Sequence, residues 1–158
     1  LLLVLRKHAL RTAWLPMERV GLRVLAGLGL ALLAILAFTL VGEGSDGWPV
    51  VVARTYALRN VPHAIQVLLE DMAIAILFVR LQAAMGRWWP VLLVAVLFSA
   101  GHIPAMLAGG DAWHELGSLL LDAALGVGII AVLQRSADVW WFWCVHFAMD
   151  MMQFYAVP

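Results

Sequence analysis

The sequence predicts an all-α polytopic transmembrane helix bundle of about five spans. Three observations carry that expectation. Of the 158 residues, 65% are hydrophobic and only 13% charged, against about 25% charged in a typical soluble domain. Mean hydropathy is +0.95. Apolar stretches close to the roughly 20 residues a helix needs to cross hydrocarbon recur along the whole chain. They are continuous rather than alternating, so each backbone must satisfy its own polar groups as a helix instead of as a barrel strand.

The elements follow in order. Arg6, Lys7, Arg11, Arg19 and Arg23 form a basic segment ahead of the first apolar run. That run, Val24 to Val41, is the first span. Trp48 to Asn60 mixes apolar and polar residues and reads as an interfacial segment. Val61 to Val79 is the second span, apolar apart from His63, Gln66, Glu70 and Asp71. Trp88 to Leu107 is the third, interrupted by Ser99, His102 and Pro104. Leu116 to Leu133 is the fourth, with Ser118 and Asp122 inside it. Val139 to Tyr155 is the fifth, carrying His146, Asp150 and Gln153.

The expected organisation is one integral membrane domain over 1–158. Residues 1–60 supply the basic segment, first span and interfacial segment, and 61–158 the motif-bearing core. The sequence begins at Leu1 rather than Met, so a trimmed or partial chain is expected. Leu1 to Leu5 fits the tail of an upstream span. The basic residues follow that apolar run, the reverse of a secretory signal.

Charge placement orients the spans. The basic segment places its end in the cytoplasm, and alternation then puts Arg80, Arg87 and Arg135 on the same side. The opposite loops hold Glu43 and Asp46, then Asp111 and Glu115. Arg54 and Arg59 depart from the pattern. Ten bases against ten acids leave a formal net charge of +0, with nothing to attract a polyanion, so no nucleic-acid partner is expected. The single cysteine, Cys144, excludes a disulfide framework and a thiolate zinc site.

Titratable groups inside spans are costly and turn toward the bundle interior. Glu70, Asp71, His102, Asp122, His146 and Asp150 all lie there. At 1.5 Å per residue, Glu70, His102, His146 and Asp150 fall roughly 8–15 Å from the same membrane face, in one slab. Phe98 and His102 are four apart, as are His146 and Asp150, so each pair shares a helix face. His63, Gln66 and Glu70 make a polar stripe at spacings of three and four. Asp71 points about 100° away from Glu70.

These residue types suit peptide-bond hydrolysis. A buried carboxylate such as Glu70 can hold and deprotonate a water. Neutral histidines can position that water, bind a metal ion or protonate the leaving amine. Asp150 can orient His146 or, when protonated, donate to an oxyanion. Glu70, His102, His146 and Asp150 are also a possible nitrogen and oxygen set for zinc. There is no GxSxG and no HExxH. His63 and Gln66 read as interface polar groups, and Asp122 as a helix–helix hydrogen-bond partner. Trp88, Trp89, Trp140, Trp141 and Trp143 read as an aromatic belt, and Cys144 as inert.

Glu70-Asp71, then Phe98-Ser-Ala-Gly-His102, then His146-Phe-Ala-Met-Asp150 resemble, in order, the EExxxR, FxxxH and HxxxN/D motifs of the CPBP family of CAAX proteases and bacteriocin-processing enzymes, also called Abi. The resemblance covers about the last 90 residues, Leu68 to the end. It implies that Glu70 activates the water, His102 assists it, and His146 and Asp150 bind and stabilise the scissile carbonyl, with Asp71 and Phe98 in support. Family members are described as intramembrane endopeptidases acting on peptides or near the C-terminus of prenylated proteins, or as bacteriocin-immunity proteins. They are often labelled metalloproteases, although a glutamate mechanism without metal suits the same residues. The expected partners are such a substrate and the lipid bilayer. The expected location is a bacterial cytoplasmic (inner) membrane, with the N-terminal side cytoplasmic.

The first motif departs from the family pattern, with Asp71 as its second acid and Ala75 at the arginine position. Two other readings stay beside the protease. One is a binding or immunity-type membrane protein that keeps the fold without turnover. The other is a proton or ion pathway through the same acids.

Overall fold

The computed structural model describes residues 13–42, 47–101, 103 and 112–155. All regular structure among the described residues is helical, which bears out the all-α class. The helices are α1 (Val20–Gly42), α2 (Trp48–Thr55), α3 (Val61–Met85), α4 (Trp89–Ala100), α5 (Ala112–Ser136) and α6 (Val139–Tyr155). A 3₁₀ turn, Leu58–Asn60, joins α2 to α3. The cytoplasmic-side markers Arg6, Lys7 and Arg11, the loop acids Glu43, Asp46 and Asp111, and Pro104 lie outside the described residues.

Three helix ends have local reasons. α3 continues past Val79 through Arg80 and Gln82, because a helix tolerates polar residues wherever they reach water or headgroups. It stops at Gly86, whose φ of +80° is the left-handed conformation that glycine adopts without a Cβ clash. The Gly86 N–H closes the helix on the Gln82 carbonyl at 3.1 Å. α4 begins with Pro90 in its first turn, where the missing N–H costs nothing. α6 starts at Asp138, whose Oδ1 accepts the Trp140 N–H at 3.0 Å as an N-cap.

α1 is the helix most clearly suited to lipid. Val20–Leu40 has a mean hydropathy of 2.3, and only 17% of its apolar window is buried. Leu22, Leu25, Leu33 and Leu40 are each more than 60% exposed. A soluble core helix of such hydropathy hides its side chains, whereas this one leaves them exposed, as a lipid-facing helix does.

The described contacts fall into two compact units, 1–73 with 138–158, and 74–137. In the first, α1 lies along α6, and α2 packs on both. Small residues set that approach. Gly27 and Ala31 on α1, and Cys144 and Ala148 on α6, are spaced by four, the small-xxx-small pattern that brings membrane helices together. A Cβ on Gly27 would come within 2.7 Å of the Trp141 Cα and carbonyl oxygen. Ala31, Ile35, Val51, Cys144, Ala148 and Met152 fill the seam. The Cys144 thiol lies 3.4 Å from the Trp140 carbonyl, a packing role.

The chain before α1 fastens both helices at one end. Arg23 on α1 pairs with Asp138. The Trp140 indole N–H donates to the Pro16 carbonyl at 2.9 Å, and the Val139 N–H to the Trp14 carbonyl at 2.9 Å. In the second unit, α4 packs on α5, with Ala95 against the hydrogen side of Gly126.

Candidate active site

The candidate site of the first unit is built by α3 and α6. Two contacts hold them in register. The Trp143 indole N–H donates to the Ala64 carbonyl at 2.7 Å. Phe147, one turn further along α6, is buried with Val67 and Met151 and inclines toward the His63 ring, 6.2 Å between centroids. Trp140 and Trp143 thus spend their polar edges inside the protein. Trp88 and Trp89 are 63% and 66% exposed, as an aromatic belt requires.

That register brings His146 against Asp71. Its Nδ1 lies 2.8 Å from Asp71 Oδ1, and the Asp71 side chain has no solvent exposure. An ionised carboxylate can only accept, so His146 Nδ1–H is the donor and Nε2 is turned the other way. There it meets Asp150 Oδ1 at 3.5 Å, one helical turn along α6. Phe142 stacks on the imidazole at 5.4 Å between centroids. The ring is held by the Asp71 contact and the aromatic face, with Nε2 directed toward Asp150.

Asp150 is contacted from a second direction. His63 Nε2 lies 3.4 Å from its Oδ2, at ion-pair range and longer than a well-formed hydrogen bond. Gln66 donates from Nε2 to Glu70 Oε1 at 3.0 Å. Glu70 lies within electrostatic reach of Asp71, His146 and Asp150. His63, Gln66 and Glu70 lie along one stripe of α3, as their spacing anticipated, and each has a polar contact. His63 belongs with Asp150, and Gln66 orients Glu70.

Four of the expected residues thus come together: Glu70, Asp71, His146 and Asp150. His102 lies outside the described residues, and so does the side chain of Asp122. Phe98 is half-buried on α4 in the second unit. Ala75, at the family's arginine position, is fully buried. It stands four residues after Asp71, on the same helical face, so that face offers Asp71 no cation from within α3. Asp71 Oδ2 is buried with no hydrogen-bond partner among the described residues.

Among the described residues, no three His, Cys, Asp or Glu side chains are grouped as metal ligands would be. Both His146 nitrogens already face carboxylates. With Nδ1–H given to Asp71, the lone pair of a neutral ring lies on Nε2, on the side of Asp150.

The described residues thus form an apolar helical protein in which a buried imidazole lies between two carboxylates beside a polar stripe on α3. The sequence model for the type II CAAX prenyl endopeptidase Rce1-like family matches residues 31–152, which include every residue of that cluster. The chain belongs to this family and, through it, to the CPBP intramembrane proteases. No curated protein and no solved structure matches it.

Proposed function

We propose that the protein is an intramembrane endopeptidase that hydrolyses a peptide bond with a water activated by Glu70. The observation that supports this most is the Asp71–His146–Asp150 chain of contacts, set beside Glu70 and its partner Gln66.

The steps follow from the groups present. Glu70, held by Gln66, takes a proton from a water as it attacks the scissile carbonyl carbon. The developing oxyanion needs a positive or donating partner. His146 can supply one, because Asp71 stabilises an imidazolium through Nδ1 in the way a buried aspartate orients a catalytic histidine. Asp150, itself contacted by His63, faces the other ring nitrogen. The proton held by Glu70 then passes to the leaving amine as the C–N bond breaks. His102 is proposed as the second histidine of the site, on the strength of its motif. No step is routed through a metal.

Detergent-purified protein incubated with a panel of prenylated and transmembrane peptides tests this reading. The wild type is expected to cleave a member of the panel and Glu70→Ala to leave it intact. Equal cleavage by both proteins removes Glu70 from the mechanism.

The buried Ala75 favours a second reading, a family member that binds without turnover. An intact wild-type panel, together with full biological function of Glu70→Gln in cells, would select it.

A further inference from the structure

One polar feature of the first unit adjoins the chemistry above through His63 and Gln66 but adds two residues, Arg54 and Arg59, that the chemistry does not use. An open cavity of about 620 Å³ is lined by Arg54, Arg59, Asn60, Pro62, His63 and Gln66. Arg54 comes from the last turn of α2 and Arg59 from the 3₁₀ turn. Asn60 ties these elements together, donating from Nδ2 to the carbonyls of Arg54 at 2.7 Å and Thr55 at 3.0 Å. The two exposed guanidinium groups form no ion pair with a described residue. They are also the two bases that break the charge asymmetry of the sequence, so topology gives no reason for them.

We propose that Arg54 and Arg59 bind the terminal carboxylate of the peptide that is cut beside Glu70, an inference that rests on the endopeptidase reading. Planar guanidinium groups match a carboxylate with paired N–H donors. Two lining residues touch the reaction centre: His63 contacts Asp150 and Gln66 contacts Glu70.

Distance gives the register. His63 and Glu70 are seven residues apart on α3, about 10 Å along the axis. A modified cysteine in a C-terminal CAAX tail stands three residues from the end. An extended tripeptide spans about 10 Å. A tail whose carboxylate sits in this cavity at the level of His63 therefore brings the bond after the cysteine to the level of Glu70.

A second cavity, of about 280 Å³, shares Asn60 and is walled by apolar groups including Val24, Tyr56, Trp143 and Phe147. An anion site abutting an apolar one suits a carboxylate whose own residue or neighbour carries an aliphatic side chain. Inorganic phosphate brings no such group. A lipid phosphate would bring charge and tails, but no ruler to Glu70.

The test uses the full chain in a neutral detergent and a farnesylated peptide ending in cysteine plus three residues, made as the free acid and as the C-terminal amide. Binding is read by fluorescence anisotropy, and cleavage in parallel. The amide is expected to bind about tenfold or more weakly, the loss of a charge-assisted contact. In an Arg54→Gln/Arg59→Gln protein the two forms should bind equally, and in Arg54→Lys/Arg59→Lys the preference for the acid should partly return. Equal affinity of acid and amide for the wild type overturns the carboxylate site, even when cleavage proceeds. A preference for the acid without any cleavage upholds the site and counts against the endopeptidase. Arginine-dependent binding of phosphatidylglycerol, with no distinction between acid and amide, overturns the proposal in favour of a lipid headgroup site.

Discussion

Replacing Asp71 by Asn separates the chemistry of the site from its architecture. The carboxylate is completely buried and accepts from His146 Nδ1 at 2.8 Å. Asparagine keeps the shape but loses the charge that stabilises an imidazolium, and its amide can present a donor to the ring and reverse the tautomer. A hydrogen bond to a charged group contributes about 1.5–3 kcal/mol. If that contribution is made mainly when His146 is charged, kcat falls about 10- to 150-fold at roughly 1.36 kcal/mol per decade. KM should move little. Stability should not fall in step, because Asp71 Oδ2 has no hydrogen-bond partner among the described residues and a buried carboxylate carries a desolvation cost that the amide relieves. The assay is peptide cleavage at saturating substrate, paired with a thermal melt in the same detergent. A folded Asp71→Asn protein with kcat within twofold of wild type would refute the role given to the His146–Asp71 contact.

Three further predictions concern the frame that holds the site. Trp143→Phe removes the indole donor to Ala64 and should cost about 1 kcal/mol, a fall in Tm of roughly 2–4 °C; an unchanged melt would show that this tie is not needed between α3 and α6. Gly27→Ala puts a Cβ within 2.7 Å of the Trp141 backbone and should cost about 1–3 kcal/mol through forced separation of α1 and α6; an alanine protein melting with wild type would contradict that close approach. Arg23→Ala leaves Asp138 buried without its cation and should lower stability by about 1–2 kcal/mol, less than for a fully buried pair because Arg23 is partly exposed. Adding Asp138→Asn should recover part of that loss, since Asn can still cap α6. No recovery would mean that Arg23 acts through its packing.

The apolar runs made the helices legible because lipid leaves the backbone few choices. The start of α6 at Val139 was readable to the residue, bounded by Asp138, whose side chain caps the first turn. The length of α3 was less legible. Its last turns carry Arg80 and Gln82, which a search for apolar runs discards, and its true end depends on the positive φ of Gly86. In the site, the pairing of His146 with Asp150 follows from a spacing of four on one helix. The partner of Nδ1 did not follow. Asp71 points away from Glu70 on α3, and only the packing of Trp143 and Phe147 decides which face of α3 meets α6. The same packing brings His63 to Asp150 on α6. Spacing showed that His63, Gln66 and Glu70 share a stripe, but a stripe does not name what lies across from it.

The central claim is that the Glu70 carboxylate is the base. Glu70→Gln tests it most directly, because the glutamine oxygen can still accept from Gln66 while the basic carboxylate is gone. With a cleaved peptide in hand, kcat should fall about 10²- to 10⁴-fold, with peptide binding and Tm unchanged. A Glu70→Gln protein that turns over within a few-fold of wild type would contradict the mechanism at its first step.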